Sequence, residues 1–229
     1  MGRAIIWDFD GVIVLTPHED AWRLACQKLG IKGFTKEFYA DYVSGKPRQE
    51  GAVEILVRLG GYSRRFLLST SEGRAVLERL MQEKNSIYNN LVEEGRYRLN
   101  DDAVKFMLNA KSQGIVQVLA SASKNASKLL NRITVEGKSL SKLLDYDFSG
   151  LGETKREVIT RAVMHLEGLG IDRRCILLIE DSWTGIRAGQ GIGLRTLCYR
   201  CNGPNGIADI TAEELAALDP QSVFKMLGC

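Results

Sequence analysis

Ile5-Ile6-Trp7-Asp8-Phe9-Asp10-Gly11-Val12-Ile13-Val14 is the stretch whose reading decides the fold. An apolar run climbs into two carboxylates one residue apart, then a glycine, then more apolar residues. Parallel strands covered on both faces read as continuous Val/Ile/Leu, so the run predicts a buried strand. Burial does not explain Asp8 and Asp10, because Asp at the end of a buried strand must find a partner charge, a hydrogen bond or a metal. In an open parallel sheet that end is where ligands bind. The competing reading is a capped strand end with a solvated turn, and other charged groups arriving at the same place would decide against it.

Downstream of Thr16-Pro17 the pattern turns helical. Ala21, Leu24, Ala25 and Leu29 recur at helical spacing before Gly30. Thr35 to Val43 predicts a short helix, and Ser44-Gly45-Lys46-Pro47-Arg48 a loop. A helix through Val53, Leu56, Val57 and Leu59 stops at Gly60-Gly61. Ser71 can cap a longer one with the stripe Leu77, Leu80, Met81, Tyr88 and Leu91, ending near Gly95. From about residue 100 strands alternate with helices. Asn100 caps a helix ending at Gly114, Ile115 to Ala120 is a strand, and Ser121 to Asn125 opens another helix. Tyr146-Asp147-Phe148 is a short strand, and Lys155 starts a helix to Leu169. Cys175 to Ile179 is a buried strand ending in Glu180-Asp181, followed by a helix from about Gly185 and a strand from Leu194 to Tyr199. Such alternation implies an α/β fold with a doubly wound, Rossmann-like parallel sheet. Residues 16–95 interrupt it after one strand and read as an inserted helical domain; 1–15 and 96–229 make the core.

Composition narrows the classes. At 45% hydrophobic and 26% charged residues the chain is an ordinary globular protein. A net charge of +3 with no basic run does not argue for nucleic acid. No apolar stretch approaches a membrane span, and Asp8 and Asp10 interrupt the only early apolar run, so neither membrane nor secretion signal is expected and the location expected is cytoplasmic. Five cysteines in such a chain read as thiols with structural roles. Cys198-Tyr199-Arg200-Cys201 has C-x-x-C spacing but lacks the second pair of ligands that zinc requires; a disulfide between them is left open. Gly189-Gln190-Gly191-Ile192-Gly193 follows a helix and precedes a strand, the reverse of a dinucleotide fingerprint. Asn125-Ala126-Ser127 fits a glycosylation sequon that means nothing without secretion.

Four places at strand ends carry groups that are expensive to bury: Asp8 with Asp10, Ser121, Lys155, and Glu180 with Asp181. In a parallel sheet all lie on one edge. Singly they could be a helix cap, a first-turn lysine and a capping acid pair; those readings do not predict the coincidence. Asp8, Glu180 and Asp181 offer hard oxygen ligands suited to Mg²⁺. Lys155, Ser121 and helix-terminal N–H groups could hold a phosphoryl group. Asp8 would then be the nucleophile, forming an aspartyl-phosphate, and Asp10 the general acid and base.

Asp8-Phe9-Asp10-Gly11-Val12, Ser121, Lys155 and Glu180-Asp181, in this order, resemble the haloacid dehalogenase superfamily, in its phosphatase and phosphomutase branch. The resemblance implies a helical cap between the first and second motifs and a metal ligand from the Asp10 backbone carbonyl. His18-Glu19-Asp20-Ala21-Trp22, the loop Gly45 to Arg48, Lys84-Asn85 with Tyr88, and Ser121-Ala122-Ser123-Lys124-Asn125 are similar to motifs of the β-phosphoglucomutase group. That likeness implies substrate contacts at His18, Arg48, Lys84, Ala122, Ser123, Lys124 and Asn125, with Arg48 gripping a non-transferring phosphate. The chain departs from the group in a shorter Asp10-to-His18 spacing, in Leu15 and Pro17, and in the Gly152-Glu153-Thr154-Lys155-Arg156 setting of the lysine. The expectation is a Mg²⁺-dependent enzyme isomerising a hexose 1-phosphate or hydrolysing small phosphate monoesters, a monomer or weak homo-oligomer. A phospho-receiver module is the rival from another class; receivers have no insertion after the first strand and carry their phospho-acceptor later. An inactive scaffold on this fold is disfavoured because every core position is filled.

Overall fold

The structure is a computed structural model that describes residues 2–123, 125–201 and 206–229. The opening run forms β1 (Ala4–Trp7), fully buried. The elements that follow are β2 (Val14–Leu15), α1 (His18–Lys28), α2 (Lys36–Tyr42), α3 (Arg48–Arg58), α4 (Arg64–Ser69), α5 (Ser71–Glu93), β3 (Arg98–Leu99), α6 (Asp101–Ser112), β4 (Val116–Leu119) and α7 (Ala126–Arg132). Then come β5 (Thr134–Val135), β6 (Lys138–Ser139), β7 (Tyr146–Asp147), α8 (Lys155–Gly168), β8 (Ile176–Glu180), α9 (Trp183–Gln190), β9 (Arg195–Tyr199), β10 (Ile210–Ala212) and α10 (Pro220–Met226). The chain divides into two compact units, Met1–Leu15 with Leu99–Cys229, and Thr16–Arg98.

The first unit holds a six-stranded sheet in the order β10-β9-β8-β1-β4-β7, parallel throughout. β1 lies between β4 and β8, with Trp7 level with both Leu119 and Ile179. Both faces are covered, which is why the strand is apolar at every position rather than at alternate ones. On one face Ile6, Val118, Ile176 and Leu178 pack against Val158, Ile159, Ala162 and Leu166 of α8. On the other the Trp7 ring meets Phe106 of α6 edge-on, with centroids 6.0 Å apart. The Trp7 indole donates to the Gln117 side chain at 3.2 Å, and the Gln117 amide donates to the Met107 and Leu143 carbonyls at 3.0 Å, so this buried polar pair is satisfied. Truncating Ile6 or Leu178 to Ala would cost about 2–5 kcal/mol.

The second unit is helical, as its periodicity predicts. Trp22, Ala25, Val53, Leu56, Leu67, Leu77 and Leu80 form its core. The sequence puts the cap of α5 at Ser71. The cap is Thr70 instead, whose hydroxyl accepts from the Gly73 amide at 3.0 Å. Gly73 is required there, because a Cβ would collide with the Phe66 backbone. α4 was not expected: six residues are too short for an apolar stripe, and only Ser63, capping from the Phe66 amide at 3.2 Å, marks it.

Other expectations need correction. Asn100 precedes α6 but makes no side-chain cap; its amide donates to the Val12 carbonyl at 2.8 Å and the Tyr199 hydroxyl at 3.0 Å. α9 starts at Trp183 rather than Gly185, because Ser182 caps it. A small antiparallel hairpin, β5 with β6, turns through Glu136 and Gly137, both at positive φ; β10 and α10 were also not expected. The cysteines are not all thiols: Cys175 is bonded to Cys229 and Cys198 to Cys201, with Cα separations of 5.4 and 5.7 Å, leaving a free Cys26 among the described residues. No helix among the described residues is long and apolar enough to cross a membrane.

Candidate active site

The register of the sheet gathers the strand-end groups. Because Trp7 is level with Leu119 and Ile179, Asp8 and Phe9 run alongside Ala120-Ser121 on one flank and Glu180-Asp181 on the other. The Asp8 amide continues the ladder by donating to the Ile179 carbonyl at 3.0 Å. Beyond it the chain turns back at once, with the Gly11 amide on the Val14 carbonyl at 2.8 Å and the Val14 amide on the Phe9 carbonyl at 3.0 Å. Gly11 takes φ +91°, and a Cβ on it would collide with the Asp181 carboxylate. Two demands, a left-handed backbone and room for an acid, therefore fall on one residue.

Lys155 is the first residue of α8, after Thr154, whose hydroxyl caps the helix from the Glu157 amide at 3.2 Å. Its ammonium, almost wholly buried, pairs with the Asp8 carboxylate and reaches Glu180 Oε1 at 2.8 Å. The other Glu180 oxygen, Oε2, accepts from the Ser182 amide at 3.0 Å and the Ser182 hydroxyl at 2.8 Å. The same hydroxyl accepts from the Gly185 amide at 3.1 Å. A Cβ on Gly185 would collide with the Glu180 carboxylate. Ser182 and Gly185 are thus what aim Glu180 at Lys155, and both were missed as site residues; the signal was a Ser directly after the acid pair with Gly three residues on.

Asp8, Glu180 and Asp181 each present a carboxylate oxygen within 4.8 Å of the others. Burial is the first cause that raises Asp8, to about 7; Glu180 and Asp10 raise it further and Lys155 opposes them. Asp181 is raised well above the usual carboxylate range by burial first and then by Glu180 and Asp8. For Lys155, burial by itself pulls downward, but Asp8 and Glu180 outweigh it and hold the ammonium above its ordinary value. The cluster has more buried negative charge than its lysine can balance. Hard oxygens in such excess fit a divalent cation, which would neutralise what the ammonium does not.

Ser121 is buried at the end of β4, and its hydroxyl accepts from the Ser123 amide at 3.0 Å. The Ser123 hydroxyl accepts in turn from the Asn125 amide at 3.4 Å. Ala122, Ser123 and Asn125 form the turn into α7; Lys124 lies outside the described residues. Asp10 is partly buried between Phe9 and the Gly11 turn, close enough for its charge to act on both Asp8 and Asp181.

His18, Arg48 and Lys84 belong to the helical unit and are described within it. The Lys84 ammonium lies 2.7 Å from His18 Nδ1. An ammonium can only donate, so Nδ1 accepts and a neutral ring carries its proton on Nε2. The imidazole stacks on Tyr88 at 4.3 Å, and the ammonium sits over the Tyr88 and Trp22 rings at 4.6 and 5.4 Å. Lys84 is 3% exposed, which rules out a solvated charge on a helix face. Arg48 is the first residue of α3, and burial pulls its guanidinium below its ordinary value.

Known proteins share this architecture. The haloacid dehalogenase-like hydrolase family model matches residues 3–193. The β-phosphoglucomutase of Bacillus subtilis (strain 168) is 26% identical over 219 residues, 94% of this chain and 91% of the relative. The crystal structure of a β-phosphoglucomutase from the hyperthermophilic archaeon Pyrococcus sp. strain ST 04 superposes with a TM-score of 0.80 at 40% identity, covering 98% of each chain. A β-phosphoglucomutase from Clostridium difficile superposes with a TM-score of 0.78 at 25% identity, over 100% of this chain and 98% of its own. The chain is an enzyme belonging to the haloacid dehalogenase-like hydrolases.

Proposed function

We propose that this enzyme transfers a phosphoryl group through an aspartyl-phosphate on Asp8, isomerising a small sugar phosphate of the hexose 1-phosphate kind. The observation that carries the reading is the buried Lys155 ammonium shared between Asp8 and Glu180 beside Asp181 at the carboxyl edge of the sheet. Relatives described as β-phosphoglucomutases, matching nearly the whole chain, support the substrate class.

Asp8 attacks phosphorus, the phosphorus–oxygen bond of the ester breaks, and Asp10 protonates the leaving oxygen. Lys155 and the Ser121 hydroxyl hold the charged phosphoryl oxygens and orient them for in-line displacement. Asp10 then takes a proton from the acceptor, a second sugar hydroxyl, which attacks phosphorus and frees Asp8. Asp8, Glu180 and Asp181, with the Asp10 carbonyl, would hold Mg²⁺. When bound, the ion screens the phosphoryl negative charge and the repulsion among the three acids. The helical unit acts as a cap in this reading: Arg48 grips the distal phosphate, and His18 and Lys84 meet the sugar, with Ala122, Ser123, Lys124 and Asn125 contacting it from the core. Hydrolysis is the second reading, favoured by the hydrolase description of the family model, and needs only that water replace the sugar hydroxyl.

The test offers each anomer of glucose 1-phosphate with a bisphosphate primer, measuring glucose 6-phosphate formation beside inorganic phosphate release. Isomerised product is expected; phosphate alone moves the assignment to hydrolysis. Asp8→Asn abolishes turnover, and Asp10→Asn lowers kcat by about two to four orders of magnitude with Mg²⁺ affinity retained. Substantial turnover by Asp8→Asn would remove the covalent route.

A further inference from the structure

The Cys198–Cys201 bridge has no part in phosphoryl transfer, yet it adjoins the residue that holds Lys155. Cys198 is fully buried in β9, level with Glu180 in β8. Cys201 Sγ stands 3.8 Å from the Glu180 carbonyl oxygen. Cys201 is only partly buried whereas Cys198 is fully buried, which makes Cys201 the more approachable end of the bridge. Between the two, Arg200 takes φ +51°, a conformation that L side chains rarely adopt. Its amide donates to the Ala212 carbonyl and its Nε to the Glu213 carbonyl, each at 2.9 Å. A left-handed arginine, a short bridge and a catalytic-edge carbonyl thus meet in one turn.

We propose that Cys198–Cys201 is a thiol–disulfide exchange site for a dithiol reductant, and that opening it loosens Glu180 and with it Lys155. The reductant's thiolate attacks Cys201 Sγ, forming a mixed disulfide while the bridge breaks and Cys198 leaves as a thiolate that takes a proton from water. The second thiolate of the reductant attacks its partner sulfur, closing a cyclic disulfide and releasing Cys201, which is protonated in turn. The bridge gains two electrons and two protons, and the dithiol loses them. Arg200 then relies on its bonds to the Ala212 and Glu213 carbonyls to stay at positive φ, and the turn against the Glu180 carbonyl loses its cross-link. The bridge encloses a left-handed residue, Arg200, within a 3-residue separation, whereas Cys175–Cys229 joins residues 54 apart, and a bridge across a strained turn is the more readily reduced.

The purified protein is equilibrated across ratios of reduced to oxidised dithiothreitol, trapped with iodoacetamide and mapped by mass. Amide hydrogen exchange of the peptide spanning residues 180–187 is read on the same samples. The expected result is that Cys198–Cys201 opens at a lower ratio than Cys175–Cys229, with exchange at Ser182 and Gly185 rising about tenfold. Cys201→Ser is expected to exchange fast at every ratio, and the Cys175→Ser, Cys229→Ser double variant to keep the response. A bridge that stays closed until Cys175–Cys229 opens, or one that opens with exchange unchanged, overturns the proposal. Exchange is read without substrate, so failure of the sugar-phosphate reading shows separately, as no turnover in either redox state.

Discussion

Asp8 is held between an ammonium that favours its charge and acids that oppose it, and the acids together with burial prevail, raising it from 3.8 to about 7. A group raised in the folded state holds its proton longer there than in the unfolded chain, so its contribution to stability is complete below about pH 4 and is lost as the pH rises through about 7. In chelator, the denaturant midpoint of the protein is therefore expected to fall between pH 4.5 and 7, and added Mg²⁺ to flatten the fall by supplying the positive charge the protons provided. Asp8→Asn, titrated in parallel, should show a shallower slope. A wild-type midpoint flat across that window would mean that burial and the neighbouring acids do not raise Asp8. Asp172 acts in a separate range: its hydrogen bonds to Arg174 hold it at about 2, so its contribution disappears only as the pH falls below about 4.

At the scale of elements, the start of α9 does more for the site than its length suggests. Gly185 leaves the space that the Glu180 carboxylate fills, and Ser182 both caps the helix and fixes that carboxylate. Gly185→Ala gains helix propensity but places a Cβ against the Glu180 carboxylate, so the two effects on stability oppose each other. The substitution should lower kcat by about a hundredfold, since displacing Glu180 misplaces Lys155. Paired measurements of kcat and unfolding midpoint check this; loss of both together would mean that the helix itself had failed. None of this crowding was legible in the sequence, because it depends on distances across the sheet. The fold class was legible, since β1 is apolar at every position and β4 and β8 are apolar but for Gln117 and the terminal Glu180, the mark that strands covered on both faces leave. α4 and β10 were not, being too short to show a period. Asp8, Lys155, Glu180 and Asp181 could be picked out because each is a charge that burial alone would forbid. Ser182 on its own could not, because a serine before a helix has an ordinary reason to be there; only its place directly after the acid pair, with Gly185 three residues on, marks it.

For the molecule as a whole, the Cys175–Cys229 bridge ties the residue before β8 to the segment after α10. Arg3 adds a hydrogen bond to the Cys229 carbonyl at 2.9 Å. A cross-link closing a loop of this size contributes about 2–4 kcal/mol, largely by restricting the unfolded chain. Replacing both cysteines by serine should lower the melting temperature by roughly 4–16 °C. The slow exchange of the central strands should persist, which scanning calorimetry and hydrogen exchange can separate. The placing of β1 has a consequence for how the chain is made. Its partners are far along the sequence, with Ala4 opposite Val116 and Ile176. On the ribosome this strand emerges before its partners and must wait, apolar and unpaired, while the whole helical segment from Thr16 to Arg98 is synthesised. That segment carries its own core and can fold during the wait. The order of synthesis therefore favours closing the insertion before the sheet that it interrupts, and the strand leading to Asp8, made before both its neighbours, finds the second of them only once β8 has been made.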